Sequence, residues 1–146
     1  MPISYHLKPD ARLVILIHAG AVTDDEFLRF YKSLYEDNRF DKSFNLLIDL
    51  GQTSSSVRSA AALRELAQFM QKQFVNTTAR PKIAVVAPKD VSFGMARMYN
   101  FFSRDMSYEF AVFRTTNAAL TWLGLPENLL NDLDQDIQPG ISPDFK

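Results

Sequence analysis

The most suggestive chemistry in this sequence lies in a hydroxyl-rich segment, GQTSSSVR at residues 51–58. Its hydroxyl groups stand just before a predicted helix, where such oxygens cap the helix, bind an anion or accept a phosphoryl group. A phosphoserine there adds about −1.5 to −2 charges at the favourable end of the helix dipole. The segment lacks the lysine of a phosphate loop. The candidate phosphorylation sites are Ser54, Ser55 and Ser56.

Further candidates follow from the edge at which parallel strands end. The loops after parallel strands gather at one edge of the sheet, and the following helices point their N–H groups there. The ligand-binding or partner-binding candidates at this edge are His18, Asp49, Thr53, Ser54, Ser55, Ser56, Arg58, Lys89, Asp90 and Arg114. A competing interpretation is that such residues are only turns and helix caps, as is expected of Thr23, Asp90 and Thr116.

A predicted helix carries Arg97 and Arg104 on one face, because the two are seven residues apart. Arg97 either anchors an anionic ligand or partner, or covers apolar surface with its stem while its charged head stays in water.

In the same helix, Gly94 costs about 1 kcal/mol of helix stability relative to alanine. That cost predicts a close packing contact at Gly94.

An enzymatic function has the weakest support. Asp49 follows a run of apolar residues, as catalytic carboxylates often do, and His18 or Arg114 would be its partner. The sequence has no nucleophile elbow, phosphate loop, dinucleotide-binding glycine motif or zinc-protease motif. We expect no catalytic residue, no metal site and no cofactor.

The composition favours one folded domain in a reducing compartment. The chain has 146 residues, of which 47% are apolar, and no cysteine. We therefore expect a cytoplasmic protein. The net charge of −1 gives no overall reason to bind nucleic acid. The longest apolar run, residues 13–17, is far shorter than the ~20 residues that span a bilayer, and we see no signal peptide.

The elements that must position the candidates alternate in the order β-β-α-β-α-β-α-β-α. Strands are predicted at residues 3–8, 12–18, 44–50, 82–87 and 110–113. Helices are predicted at residues 24–38, from 57 or 59 to 74, at 91–105 and at 117–123. Continuous apolar strands between helices indicate parallel strands buried on both faces, whereas the alternating first strand indicates an antiparallel edge. The prediction is an α/β domain over residues 1–125 with a five-stranded, mostly parallel sheet, followed by an acidic tail at 126–146.

The predicted helices carry more large apolar residues than a core of this size requires. Such residues line a pocket for a small apolar or amphipathic ligand, or form a homodimer interface. They are Phe69, Met70, Phe74, Phe93, Met95, Met98, Phe101 and Phe102.

Two stretches resemble bacterial proteins of the SpoIIAA-like, STAS-related group. The first is PKIAVVAP at 81–88 with Asp90 and FGMARMY at 93–99, and the second is VFR at 112–114 with the segment 118–124. The resemblance implies a β-α superhelix with sequential parallel strands, in proteins that act by binding. In relatives a loop serine after the third strand, in an Asp-Ser-Ser-Gly setting, is phosphorylated by a partner kinase. Here residues 53–59 read TSSSVRS, without that aspartate or glycine.

We therefore expect a non-enzymatic binding or regulatory domain. It would contact a protein partner or a small anion through the loops after the parallel strands. The alternative is a carrier of a small apolar or amphipathic ligand between helices, with a homodimer through the aromatic and methionine-rich helix surface as a further possibility. A hydrolytic or acid–base enzyme that uses Asp49 ranks last.

Overall fold

An antiparallel hairpin begins the part of the chain that the computed structural model describes, which is residues 3–55 and 58–130. Strand β1, Ile3–Lys8, pairs with β2, Leu13–Ala21, through a 3-10 turn at Pro9–Ala11. Tyr5 lies opposite Leu16 in this pair. The hairpin confirms the predicted antiparallel first strand.

Three parallel strands, four helices and a second 3-10 turn at Glu127–Leu130 complete the described part of the chain. The strands are β3, Asn45–Ser55; β4, Lys82–Val86; and β5, Glu109–Phe113. The helices are α1, Asp24–Glu36; α2, Ala60–Gln73; α3, Asp90–Phe102; and α4, Thr116–Leu123. The sheet order is β1-β2-β3-β4-β5, and every pair after the first is parallel. The predicted α/β fold, its edge strand and the sequential order are confirmed.

The two faces of the sheet are covered unequally. Helices α1, α2 and α3 pack on one face, around residues such as Leu16, Ile48 and Val85. On the opposite face α4 packs against residues such as Leu47 and Ala84. Because successive strand residues point to opposite faces, strands that are buried on both sides must be apolar throughout.

Two strands run further than predicted. β2 continues past His18 to Ala21, and β3, which was predicted to end at residue 50, continues to Ser55, so residues 51–55 belong to the strand and not to a loop after it. In β3, Gln52, Thr53 and Ser55 pair with β2 although their side chains are polar, because backbone hydrogen bonds between strands do not depend on apolar side chains. His18 and Asp49 consequently lie within strands rather than at strand ends.

The helix ends follow local capping chemistry. Thr23 caps the start of α1 as predicted, and it forms a capping box with Glu26 through bonds of 3.1 and 3.0 Å between side chain and backbone. The predicted caps Asp90 and Thr116 are wrong, since each is already the first residue of its helix. Thr115 caps α4 instead, and its Oγ1 accepts a 3.2 Å bond from the N–H of Ala118.

Gly94 has no close neighbour, so the packing contact predicted there is wrong. A Cβ built at Gly94 would meet no atom within 4 Å. We expect Gly94→Ala to raise the free energy of unfolding by about 0.5–1 kcal/mol, because alanine loses less conformational entropy in a helix. Urea denaturation measures the change. Gly124→Ala is the control: its Cβ also has space, but Gly124 has φ +75°, so that variant should lose stability. A loss in both variants would contradict this account.

Candidate ligand cavity

A cavity of about 90 Å³, partly open to the outside, lies between the sheet and helices α1, α2 and α3. On this measure about 10–15 Å³ holds one water molecule, so the space is large enough for a small organic molecule. Its apolar lining comes from all three helices, from β3, β4 and β5, and from the connection before α1: Val22, Phe27, Leu46, Ile48, Leu50, Leu63, Leu66, Met70, Ile83, Val85, Met95, Ala96 and Phe110.

The polar end of the cavity is centred on Arg58. This residue immediately precedes the α2 cap Ser59 and is only 8% exposed. Its Nη1 lies 3.6 Å from Asp24 Oδ1, which is close enough for an ion pair but too far for a hydrogen bond. Within the described part of the chain, Nη1 is buried and has no hydrogen-bond partner. Arg58 also lies over the Phe27 ring, 5.5 Å from its centroid.

His18 and Tyr31 form a neutral pair beside Arg58. His18 is 5% exposed, and its Nε2 lies 2.9 Å from the Tyr31 hydroxyl. Burial, followed by the charge of Arg58, lowers the pKa of His18 to about 3. Burial also raises the pKa of Tyr31. Both side chains are therefore uncharged near neutral pH, and Arg58 is the only charged group among the described lining residues.

A second polar cluster lies in the cavity wall. Tyr35 and Tyr99 line the cavity, and the Tyr99 hydroxyl lies 2.7 Å from that of Tyr108. Burial raises the pKa of all three tyrosines, so their hydroxyls are protonated over the physiological range. The wall thus offers neutral hydroxyl groups within a mainly apolar lining.

The structure brings three of the predicted site residues together at the cavity: His18, Thr53 and Arg58. Thr53 is buried, and its hydroxyl donates a 2.9 Å bond to the Leu50 carbonyl. Lys89 reaches the same place from the start of α3, where its Nζ donates a 2.7 Å bond to the Thr53 carbonyl. The predicted edge of the sheet therefore does carry a cluster of polar groups.

Asp49 does not join this cluster. Asp49 pairs with Ile17 on β2, before the register shifts between the two strands begin. Paired residues on neighbouring strands point to the same face of the sheet, so Asp49 shares the face of Ile17. Since neighbouring strand residues point to opposite faces, Asp49 points away from the face on which His18 lies. Its Oδ1 accepts a 2.7 Å bond from the Gly51 N–H. The catalytic pairing of Asp49 with His18 is not formed.

The remaining predicted residues lie on the surface. Arg114 donates a 2.8 Å bond to Asp90 and stacks on the Phe93 ring, 4.0 Å from its centroid. Arg97 is exposed on α3. Arg104 lies beyond the end of α3, so the two arginines do not share a face of one helix as predicted.

The phosphorylation sites stay a prediction. Ser54 is exposed near the end of β3. The side chain of Ser55 and the whole of Ser56 lie outside the described residues. The homodimer surface likewise stays a prediction, although Phe101 on α3 is 60% exposed.

Sequence reasoning missed Asp24, Tyr31 and Tyr99 as members of the site. Tyr31 belongs to the apolar stripe of α1, and that spacing also fits a core residue. Asp24 stands in the first turn of α1, where an acidic residue is explained by the helix dipole alone. No local signal separates these roles, because the partners of each residue come from distant parts of the chain.

Comparison with protein families gives one match, in which the SpoIIAA-like family model covers residues 13–124. Neither the curated proteins nor the solved structures gave a match. The matched segment runs from the first residue of β2 to the glycine that closes α4, and it includes every cavity residue named above. No helix among residues 3–55 and 58–130 has the length and apolar character to cross a bilayer.

Proposed function

The chain belongs to the SpoIIAA-like family, whose domain is generally a binding or regulatory fold rather than a catalytic one, and we propose that it binds a small amphipathic ligand in the cavity beneath α1, α2 and α3. This proposal joins two of the predicted functions. The cavity between the helices is where the predicted carrier function would hold an apolar ligand. Its polar end lies at the edge of the sheet that was predicted to contact an anion.

A single observation carries the proposal: an apolar cavity of about 90 Å³ with a buried arginine at one end. Folded cores are normally packed without voids of this size, because the side chains that line an empty space lose van der Waals contacts. A bound apolar group would restore those contacts. Methionines in the wall, such as Met70 and Met95, adapt readily to different apolar shapes.

Native mass spectrometry of freshly purified protein tests this function. We expect a small additional mass on the folded chain, which is lost when the same sample is denatured in organic solvent. The reason is that a pocket of this kind encloses most of the surface of its ligand, which slows dissociation of the ligand during purification. A bare mass, together with no binding of straight-chain acids or alcohols, would contradict the proposal. A doubled mass would instead support the predicted homodimer.

A further inference from the structure

We propose that the ligand is a monocarboxylate whose anionic end is bound by Arg58, with its apolar part in the cavity. This inference rests on the proposed function and gives it a ligand class. The juxtaposition behind it is a buried guanidinium with a free donor, placed at the end of an apolar space.

The first argument is the unused hydrogen-bonding capacity of Arg58. A buried donor without a partner costs stability, and the cost is higher for a charged group. Asp24 does not remove this cost, since Oδ1 of its carboxylate is 3.6 Å from Nη1 of Arg58, too far for a hydrogen bond. The same carboxylate instead accepts a long bond, 3.3 Å, from the N–H of Ser59. An incoming acceptor would therefore satisfy Nη1 without displacing an existing hydrogen bond of that nitrogen.

The second argument is the charge balance at this end of the cavity. Arg58 is the only cation among the described lining residues, and the neighbouring His18 is neutral. The charges of Asp24 and Glu26 already act on Arg58. These two carboxylates repel any incoming anion, so they oppose a monoanion less than a dianion such as a phosphate monoester. The partial positive charge at the start of α2 adds to the attraction that Arg58 exerts on the anion.

The third argument is the shape of the donor. A guanidinium presents planar, forked N–H groups that match a carboxylate better than a hydroxyl or an ester. The Phe27 ring lies beneath the guanidinium, and the lining includes further apolar side chains such as Leu63 and Ile48. The combination fits a molecule with one carboxylate at the end of an apolar body.

Calorimetric titration with octanoate and with 1-octanol tests the inference. These probes share the same chain and differ in the charge of one end. We expect octanoate to bind the wild-type protein about tenfold or more tightly than octanol, because a hydrogen bond to a charged group is among the stronger ones. Equal affinities, or tighter binding of octanol, would overturn the monocarboxylate inference and leave cavity binding intact. If neither probe binds, the proposed function fails as well.

Variants identify the residue responsible. Arg58→Met should bind the two probes with similar affinity, whereas Arg58→Lys keeps the charge and should retain part of the preference. Arg64→Met is the matched control, since Arg64 is exposed and lies over Phe102, away from the cavity lining. It should keep the full preference. A preference that persists in Arg58→Met, or disappears in Arg64→Met, would overturn the role of Arg58.

Asp24→Asn supplies a test that does not alter the arginine. Asparagine can still accept the bond from the Ser59 N–H, but the competing negative charge is gone. Octanoate should then bind several-fold more tightly, while octanol should be unaffected. An equal change for both probes would show that the charge at this end does not determine the ligand, and would overturn the inference.

Discussion

Lowering the pH from about 6.5 to about 4.5 is expected to reduce the free energy of unfolding by about 2 kcal/mol through His18 alone. His18 has a pKa of about 3 in the folded chain, against 6.5 for an unperturbed histidine. Below pH 6.5 the unfolded chain therefore binds a proton on His18 that the folded chain does not bind. The free energy of unfolding falls by at most about 1.4 kcal/mol per pH unit in this window, and the loss levels off below about pH 3, where folded His18 becomes protonated too.

Urea denaturation across this pH range measures the effect, and His18→Gln isolates it. The variant keeps a polar group but cannot take up a proton, so its stability should change much less between pH 6.5 and 4.5. Tyr31→Phe is the matched control, because it removes the hydrogen-bond partner of His18 and leaves the histidine buried. It should retain the steep pH dependence. An equal slope in wild type and His18→Gln would show that His18 is not held neutral by burial.

Filling the cavity is expected to abolish ligand binding without unfolding the protein. Ala96 on α3 lines the cavity, so the larger side chain of Ala96→Leu would occupy the empty space. We expect octanoate affinity to fall by about tenfold or more, while the free energy of unfolding stays within about 1 kcal/mol of wild type. Calorimetric titration and urea denaturation measure the two quantities on the same sample.

Two alanines of α2 provide the controls for this variant. Ala61 is exposed, so Ala61→Leu should change neither binding nor stability appreciably. Ala67 is buried in the same core but does not line the cavity. Ala67→Leu should therefore overpack the core and cost about 1–3 kcal/mol. If Ala96→Leu destabilises the protein as strongly as Ala67→Leu, the space beside Ala96 is not available to a ligand.

The sequence predicted the architecture well, because its main signals are local and repeated. Apolar runs such as residues 13–17 are read directly as strands buried on both faces, and the alternating first strand is read as an edge. The ends of helices with strong capping chemistry were also predictable: Thr23 caps the start of α1, and Gly124 caps the end of α4 with φ +75°. Where the capping signal was shared by neighbouring residues, as at Thr115 and Thr116, the prediction was off by one position.

The site was predictable only in part. Sequence reasoning placed His18, Thr53 and Arg58 at one edge of the sheet, because parallel strands deliver their carboxyl ends to a common edge. It also grouped Asp49 with them, and that pairing is not formed. Asp49 follows Ile48, which lines the cavity, and because neighbouring strand residues point to opposite faces, Asp49 points away from the cavity. Which face of β3 carries the cavity depends on where α1, α2 and α3 pack, and the strand by itself does not show that.

The hydroxyl-rich segment at residues 51–58 shows which features the sequence determines and which features depend on the tertiary structure. The sequence by itself determined the strands and helices, their order along the chain and the position of this segment before a helix, because periodicity and capping act over a few residues. Only the tertiary structure decided that Thr53 and Arg58 are buried beside an apolar cavity. Burial and cavity volume depend on how closely three helices approach one sheet face, and that distance is set by side chains that are remote from one another in the chain.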